Sequence, residues 1–313
     1  VFDIPYENDD DAERKLGTDS KLFFTAPVDG TFLVKVSDSR GFQGEKYSYS
    51  LTARSPRPDF SVNFGGRKMK LKRGSGREFS VTATRVDNFR GQIDVLIENV
   101  PPGLRLPGKI SIQANHYKAF GTCHVLQEAQ QPTAEQIGNI RLTAVANLNG
   151  QVVRKDLGRM EEMLIEDKPR VQARVVKSYS RLTGDQKKDL FRDKAGVVEL
   201  TIQPGTTISA DLVVKRNQHD GDIDFGNAES GRNLPHGVFV DNIGLNGLRI
   251  IKGQGDVREI FITAAKWVPE QTRLFHLRAN NIDGETTLPI RLRVEKQMKN
   301  SAGDGVSRKP ARR

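Results

Sequence analysis

A single cysteine, Cys123, in 313 residues excludes an intramolecular disulfide and any multi-cysteine zinc or iron–sulfur centre. One tryptophan and five tyrosines leave little material for the exposed aromatic platforms that carbohydrate recognition uses. The five histidines, at 116, 124, 219, 236 and 276, fall in no HExxH or other ligand spacing. Gly253-Gln254-Gly255 lacks the third glycine of a dinucleotide loop, and Gly74-Ser75-Gly76 lacks the wider frame of a nucleophile elbow. No apolar run approaches the roughly 20 residues of a membrane-spanning helix. No charged-then-apolar leader follows Val1, so the chain reads as starting after processing or as a fragment.

The net charge of +10 is unevenly placed. Residues 296–313 hold six basic side chains against the one acid Asp304, which is half of the total, in a stretch of low hydrophobicity. Such a composition cannot bury enough apolar surface to order itself, so 297–313 is expected to be a disordered basic tail. The remainder is only mildly basic, which argues against a nucleic-acid partner.

Short β-rich runs punctuated by 29 glycines and 14 prolines predict an all-β chain. Leu22–Phe24, Thr31–Val36 and Lys46–Leu51 have strand length, and in the last Tyr47, Tyr49 and Leu51 share one face. Three strands cannot cover that many large apolar groups, so residues 1–54 read as half of a domain. The order of Tyr6–Asp11, Gly17–Leu22, Thr25–Phe32 and the Tyr47–Leu51 strand resembles the C-terminal half of a bacterial pre-peptidase C-terminal domain. That resemblance implies a partial jelly-roll-like sandwich appended to an exported bacterial protein.

After the stiff Ser55-Pro56-Arg57-Pro58 segment comes an internal repeat. RVDNFRGQIDV (85–95) lies over KRNQHDGDIDF (215–225) at an offset of 130, so that Gly91 falls on Gly221. Asn99–Leu104 then matches Asn233–Val238, and Asn147–Gln151 matches Asn281–Glu285, both at an offset of 134. Roughly seven short strands per copy predict two tandem immunoglobulin-like β-sandwiches, at 57–157 and 170–296, joined by a linker at 158–169. The Asn-Leu-Pro-x-Gly-Val corner resembles that of bacterial Ig-like repeats in large secreted proteins.

Two groups of residues are candidate sites. Asn8, Asp9, Asp10 and Asp19 form an acidic cluster suited to calcium, which favours six to eight oxygen ligands in a flexible loop. Some members of the resembling family hold calcium there. A solvated acidic turn is the competing reading. Lys68, Lys70 and Lys72 share one face of a strand and could grip a polyanion, although edge-strand lysines also block unwanted pairing. Cys123 and His124 are neighbours on a strand and therefore face opposite ways, which excludes a dyad.

The function expected is a non-catalytic spacer, adhesion or protein-binding array of an exported bacterial multi-domain protein. The alternatives are an accessory, substrate- or calcium-binding region of a secreted hydrolase whose catalytic domain lies upstream, and a polyanion-binding module. Its expected partners are other domains of the same polypeptide and cell-surface or secreted proteins.

Overall fold

The computed structural model describes residues 6–9, 19–166, 168–192, 196–226, 228–241 and 247–296. The first sandwich contains β1 (Asp59–Gly65), β2 (Lys68–Lys72), β3 (Gly76–Val86), β4 (Ile93–Glu98) and β5 (Leu104–Arg105). It continues with β6 (Lys109–Ile112), β7 (Lys118–Val125), the short helix α1 (Ala134–Gly138), β8 (Arg141–Leu148), β9 (Gln151–Arg159) and β10 (Glu162–Glu166). One sheet runs β1-β3-β7-β5 and the facing sheet β6-β4-β8-β9, with β10 parallel to β2 beside them.

The second sandwich contains β11 (Val171–Val176), α2 (Gly184–Asp189), β12 (Val198–Ile202), β13 (Thr207–Arg216) and β14 (Ile223–Gly226). It is completed by β15 (Val238–Val240), β16 (Leu248–Ile250), β17 (Val257–Ala264), β18 (Gln271–Phe275), β19 (Glu285–Thr286) and β20 (Ile290–Val294). Here β11-β13-β17-β15 repeats the first sheet of the preceding sandwich strand for strand. The facing strands are β14-β16 and β12-β20-β18, and the backbone N–H of Asn280 joins them by donating to Asp224 O at 2.7 Å. Again the second strand pairs parallel with the last, β12 with β20. A four-stranded A-B-E-D sheet packed on a C-F-G sheet is the immunoglobulin-like order, and the chain is all-β.

Alternation builds each core. In β3, Phe79, Val81 and Ala83 point inward and Glu78, Ser80 and Thr82 outward; in β13, Ala210, Leu212 and Val214 do the same. These two sets match one residue later than the repeat alignment places them. The turn between Arg216 and Gly221 is one residue shorter than that between Arg85 and Gly91, and a one-residue slip would have turned every core side chain outward. The corrected register sets Arg85 on Arg216, and the chemistry agrees. Arg85 donates to the carbonyls of Gly91 (2.6 Å), Gln113 (3.0 Å) and His116 (3.0 Å), while Arg216 donates to Gly221 O and to Asp256 Oδ1 (2.7 Å). The Asn-x-Pro-x-Gly corners also coincide. Asn99 and Asn233 take φ of 60° and 72°, and Gly103 and Gly237 take 84° and 85°. Glycine occupies this left-handed region without a Cβ penalty, and asparagine tolerates it better than most residues.

Two expectations are corrected, and one element is new. The 158–169 linker is not a linker: Met160 and Met163 are buried in the first core, and 162–166 forms β10. Its period is two, with Met163 and Ile165 inward and Glu162, Leu164 and Glu166 outward, so the first sandwich extends past 157. Helix α1 was not foreseen, although Thr133 and Gln136 close a capping box at its start. The strands expected at 22–24, 31–36 and 46–51 are not formed, and residues 19–58 carry no strand. No partner strand among the described residues offers them a ladder, and Leu33 and Tyr49 stand 90% and 75% exposed. Rings meet only locally, as in the Phe24–Phe32 and Phe42–Tyr47 pairs. One carboxylate ties both ends of this segment to the first sandwich: buried Asp87 binds Lys21 Nζ at 2.9 Å, the Arg54 guanidinium, and the Arg57 N–H at 2.7 Å. The expected tail at 297–313 lies outside the described residues.

Candidate functional site

The two sandwiches meet through β19. The turn before it places Asp283 at φ 51° and Gly284 at φ 69°, delivering Glu285 and Thr286 antiparallel to Arg77 and Gly76 of β3. A strand of the second sandwich thereby becomes part of a sheet of the first. Thr286 and Thr122 share a hydroxyl hydrogen bond of 2.6 Å beside this pairing, and Arg77 donates to Asp283 O.

Ion pairs flank the shared strand. On one side Lys72 Nζ reaches Asp283 Oδ2 at 2.8 Å and Glu285 Oε1 at 3.1 Å. Burial alone would pull the Lys72 ammonium down, but its two carboxylate partners reverse that and hold it up. Burial pushes the Glu285 carboxyl up against the pull of Lys72 and of the Val171 N–H, which donates to it at 3.2 Å. On the other side Glu78, projecting from the outward face of β3, accepts from Arg232 Nε (2.7 Å), Arg232 Nη2 (2.8 Å), His276 Nε2 (2.9 Å) and Arg278 Nη1 (3.0 Å). Burial would raise its carboxyl, yet the bonds from Arg232 and His276 outweigh it and hold Glu78 well below the usual carboxylate range. Burial lowers His276 against the opposing pull of the Glu78 carboxylate. The Arg232 guanidinium also lies 3.6 Å over the Phe120 ring, a cation–π contact across the junction.

Beyond Glu78 the modules enclose a cleft of about 280 Å³. Gln92, Lys109 and Ser111 line it from the first sandwich, and Asn233, Gln271 and Arg273 from the second. At its side His116 and His236 stack edge-on at 4.9 Å, and His236 reaches Trp267 at 5.1 Å. Burial and the neighbouring His236 lower His116.

The sequence candidates are distributed differently. Lys68, Lys70 and Lys72 do lie on one face of β2, but Lys72 is bound within the junction and Lys68 lies 3.5 Å from Glu161. Only Lys70 of the three has no carboxylate beside it among the described residues. Asn8 Nδ2 donates to Lys21 O at 2.9 Å. Asp9 and Asp19 are exposed, and Asp10 lies outside the described residues. Among the described residues no three His, Cys, Asp or Glu side chains converge as a metal site would require. Cys123 is fully buried, and burial pushes its thiol up to about 12; His124 is buried beside it and held neutral by burial and the nearby Arg174 and Arg105.

Sequence reasoning missed Glu78, Arg232, His276 and Arg278. Alternation in β3 could have marked Glu78 as outward-facing, but its partners lie 154 to 200 residues away and carry no local signal.

No known family profile and no curated protein matches the chain. Solved structures similar to it include the N-terminal Ig1-2 module of the Drosophila receptor protein tyrosine phosphatase DLAR, at 12% identity and TM-score 0.26, covering 76% of this chain and 98% of that one. A chimeric titin Z1Z2 is similar at 11% identity and TM-score 0.20, covering 78% and 100%. The D00-D0 domain of intimin is similar at 9% identity and TM-score 0.22, covering 75% and 99%. Among the described residues no helix is long and apolar enough to cross a membrane.

Proposed function

We propose that this chain is a non-catalytic, stiff two-module spacer that presents protein-binding surfaces within a larger exported protein. The observation that carries the reading is β19, which lies in the chain between β18 and β20 of the second sandwich and pairs by ladder with β3 of the first. Ordinary tandem domains meet through modest polar surfaces and move relative to one another. Here the shared strand is flanked on both sides by ion pairs with little exposure: Glu78 is 8% exposed, Glu285 7% and His276 2%. Salt screens such partly buried pairs much less than surface ones. Burial of the Cys123 thiol and of His124 supports a role without nucleophilic chemistry. The exported setting draws on the two resemblances, of residues 1–53 to a pre-peptidase C-terminal domain and of the corner motif to Ig-like repeats of secreted proteins.

Amide hydrogen exchange tests the spacer reading. Peptides covering 281–288 should exchange with the slow amides of β3, because opening β19 requires separating the modules. Exchange of 281–288 at the rate of an exposed loop would refute it.

A further inference from the structure

The cleft between the sandwiches joins a small volume to a guanidinium with an open nitrogen. Arg273 comes from β18 and is largely buried. Its Nε donates to Asn233 O, and its Nη2 donates to Ser111 O and Asn233 Oδ1, each at 2.9 Å. All three acceptors are neutral oxygens, and Nη1 has no partner among the described residues. Burial lowers this guanidinium to about 10, outweighing the opposing pull of the Asp94 carboxylate.

The surrounding charges leave a positive excess. Asp94 is the nearest acid, but it is already taken by Ser111 Oγ at 2.6 Å, Gln92 Nε2 at 2.8 Å and Lys109 Nζ at 3.6 Å. Glu78 on the far side is shared by Arg232 and Arg278. The charged Lys and Arg side chains that line the cleft are Lys109 and Arg273, and Asp94 is the one carboxylate described beside them, which leaves one positive charge.

We infer that the cleft binds one small carboxylate, held by Arg273 and Lys109. The volume is just below the roughly 300–1,000 Å³ of ordinary ligand pockets, which admits a small molecule or a single acidic side chain. One free guanidinium nitrogen and one ammonium suit a monoanion; a phosphate would call for more donors. The inference rests on the proposed junction, because each sandwich supplies one wall.

The test is a titration of the full chain, followed through arginine Nε–H and backbone amide resonances at low salt. The probes are N-acetylglutamate α-amide for a protein source of the carboxylate and glucuronate for a sugar source, with N-acetylglutamine α-amide and inorganic phosphate as comparisons. At least one carboxylate should shift the Arg273 Nε–H signal saturably, and the glutamine analogue should not. Arg273→Gln should weaken binding at least tenfold. Lys109→Gln, at an exposed position that leaves the junction intact, should weaken it several-fold. No saturable shift with either carboxylate, tighter binding of phosphate, or an affinity that neither variant changes would overturn the inference. A null titration on a chain whose 281–288 amides remain protected counts against the carboxylate site alone, whereas loss of that protection counts against the junction.

Discussion

At Glu78 two guanidiniums and an imidazole share one carboxylate whose side chain is 8% exposed. Removing one member of such a cluster leaves the others desolvated and unpaired, a loss of about 3 kcal/mol or more. Glu78→Gln should therefore lower stability by roughly that amount in urea titrations at pH 7. The pH dependence follows from the direction of the shift. The folded carboxyl is held below its unfolded value, so its contribution is complete above the unfolded pKa of about 4.3. It is lost as pH falls through that value toward the folded one. The stability gap between wild type and Glu78→Gln should be constant from pH 7 to about 5.5 and shrink as pH falls below about 4.5. A gap unchanged down to pH 3 would mean the carboxylate does not carry the junction. Asp87 gives a second prediction, read on a different segment. Asp87→Asn removes the charge that holds Lys21 and Arg54, so residues 19–56 should be cut faster by a low dose of trypsin while the sandwiches resist.

Strands were legible where the period of two showed on half-buried faces, as in β3. It is also visible in Met163–Ile165, but the four acids around that run favour a linker in the sequence. Met163 is fully buried, so Met163→Ala should cost about 2–5 kcal/mol, read as a lower urea midpoint for the first sandwich. A neutral outcome would restore 158–169 as a linker. The segment 19–58 shows the opposite error. Its strand propensity is real, but a strand is defined by its neighbour, and no neighbour is present among the described residues. The repeat itself could be read from the Asn99 and Asn233 corners, because a left-handed backbone position restricts residue choice locally. Its register in β13 could not, since a one-residue deletion in a polar turn leaves little trace in the sequence.

At the scale of the whole molecule, the junction was the part least accessible to sequence reasoning. Lys72 and Glu285 lie 213 residues apart, and Glu78 and Arg278 lie 200 apart. Each looks like an ordinary surface charge on its own strand. Only the turn through Asp283 and Gly284, which aims β19 at the neighbouring sheet, brings them together. A junction built this way should hold the two sandwiches at one separation in solution. Nitroxides at Asn63→Cys in β1 and Thr201→Cys in β12, both outward-facing positions, report it directly. The native Cys123 needs no replacement, because its buried thiol resists labelling. Pulsed electron–electron resonance should give one narrow distance distribution, at the separation the structure sets, and Glu78→Gln should broaden it. A broad distribution in the wild-type chain would contradict a fixed separation.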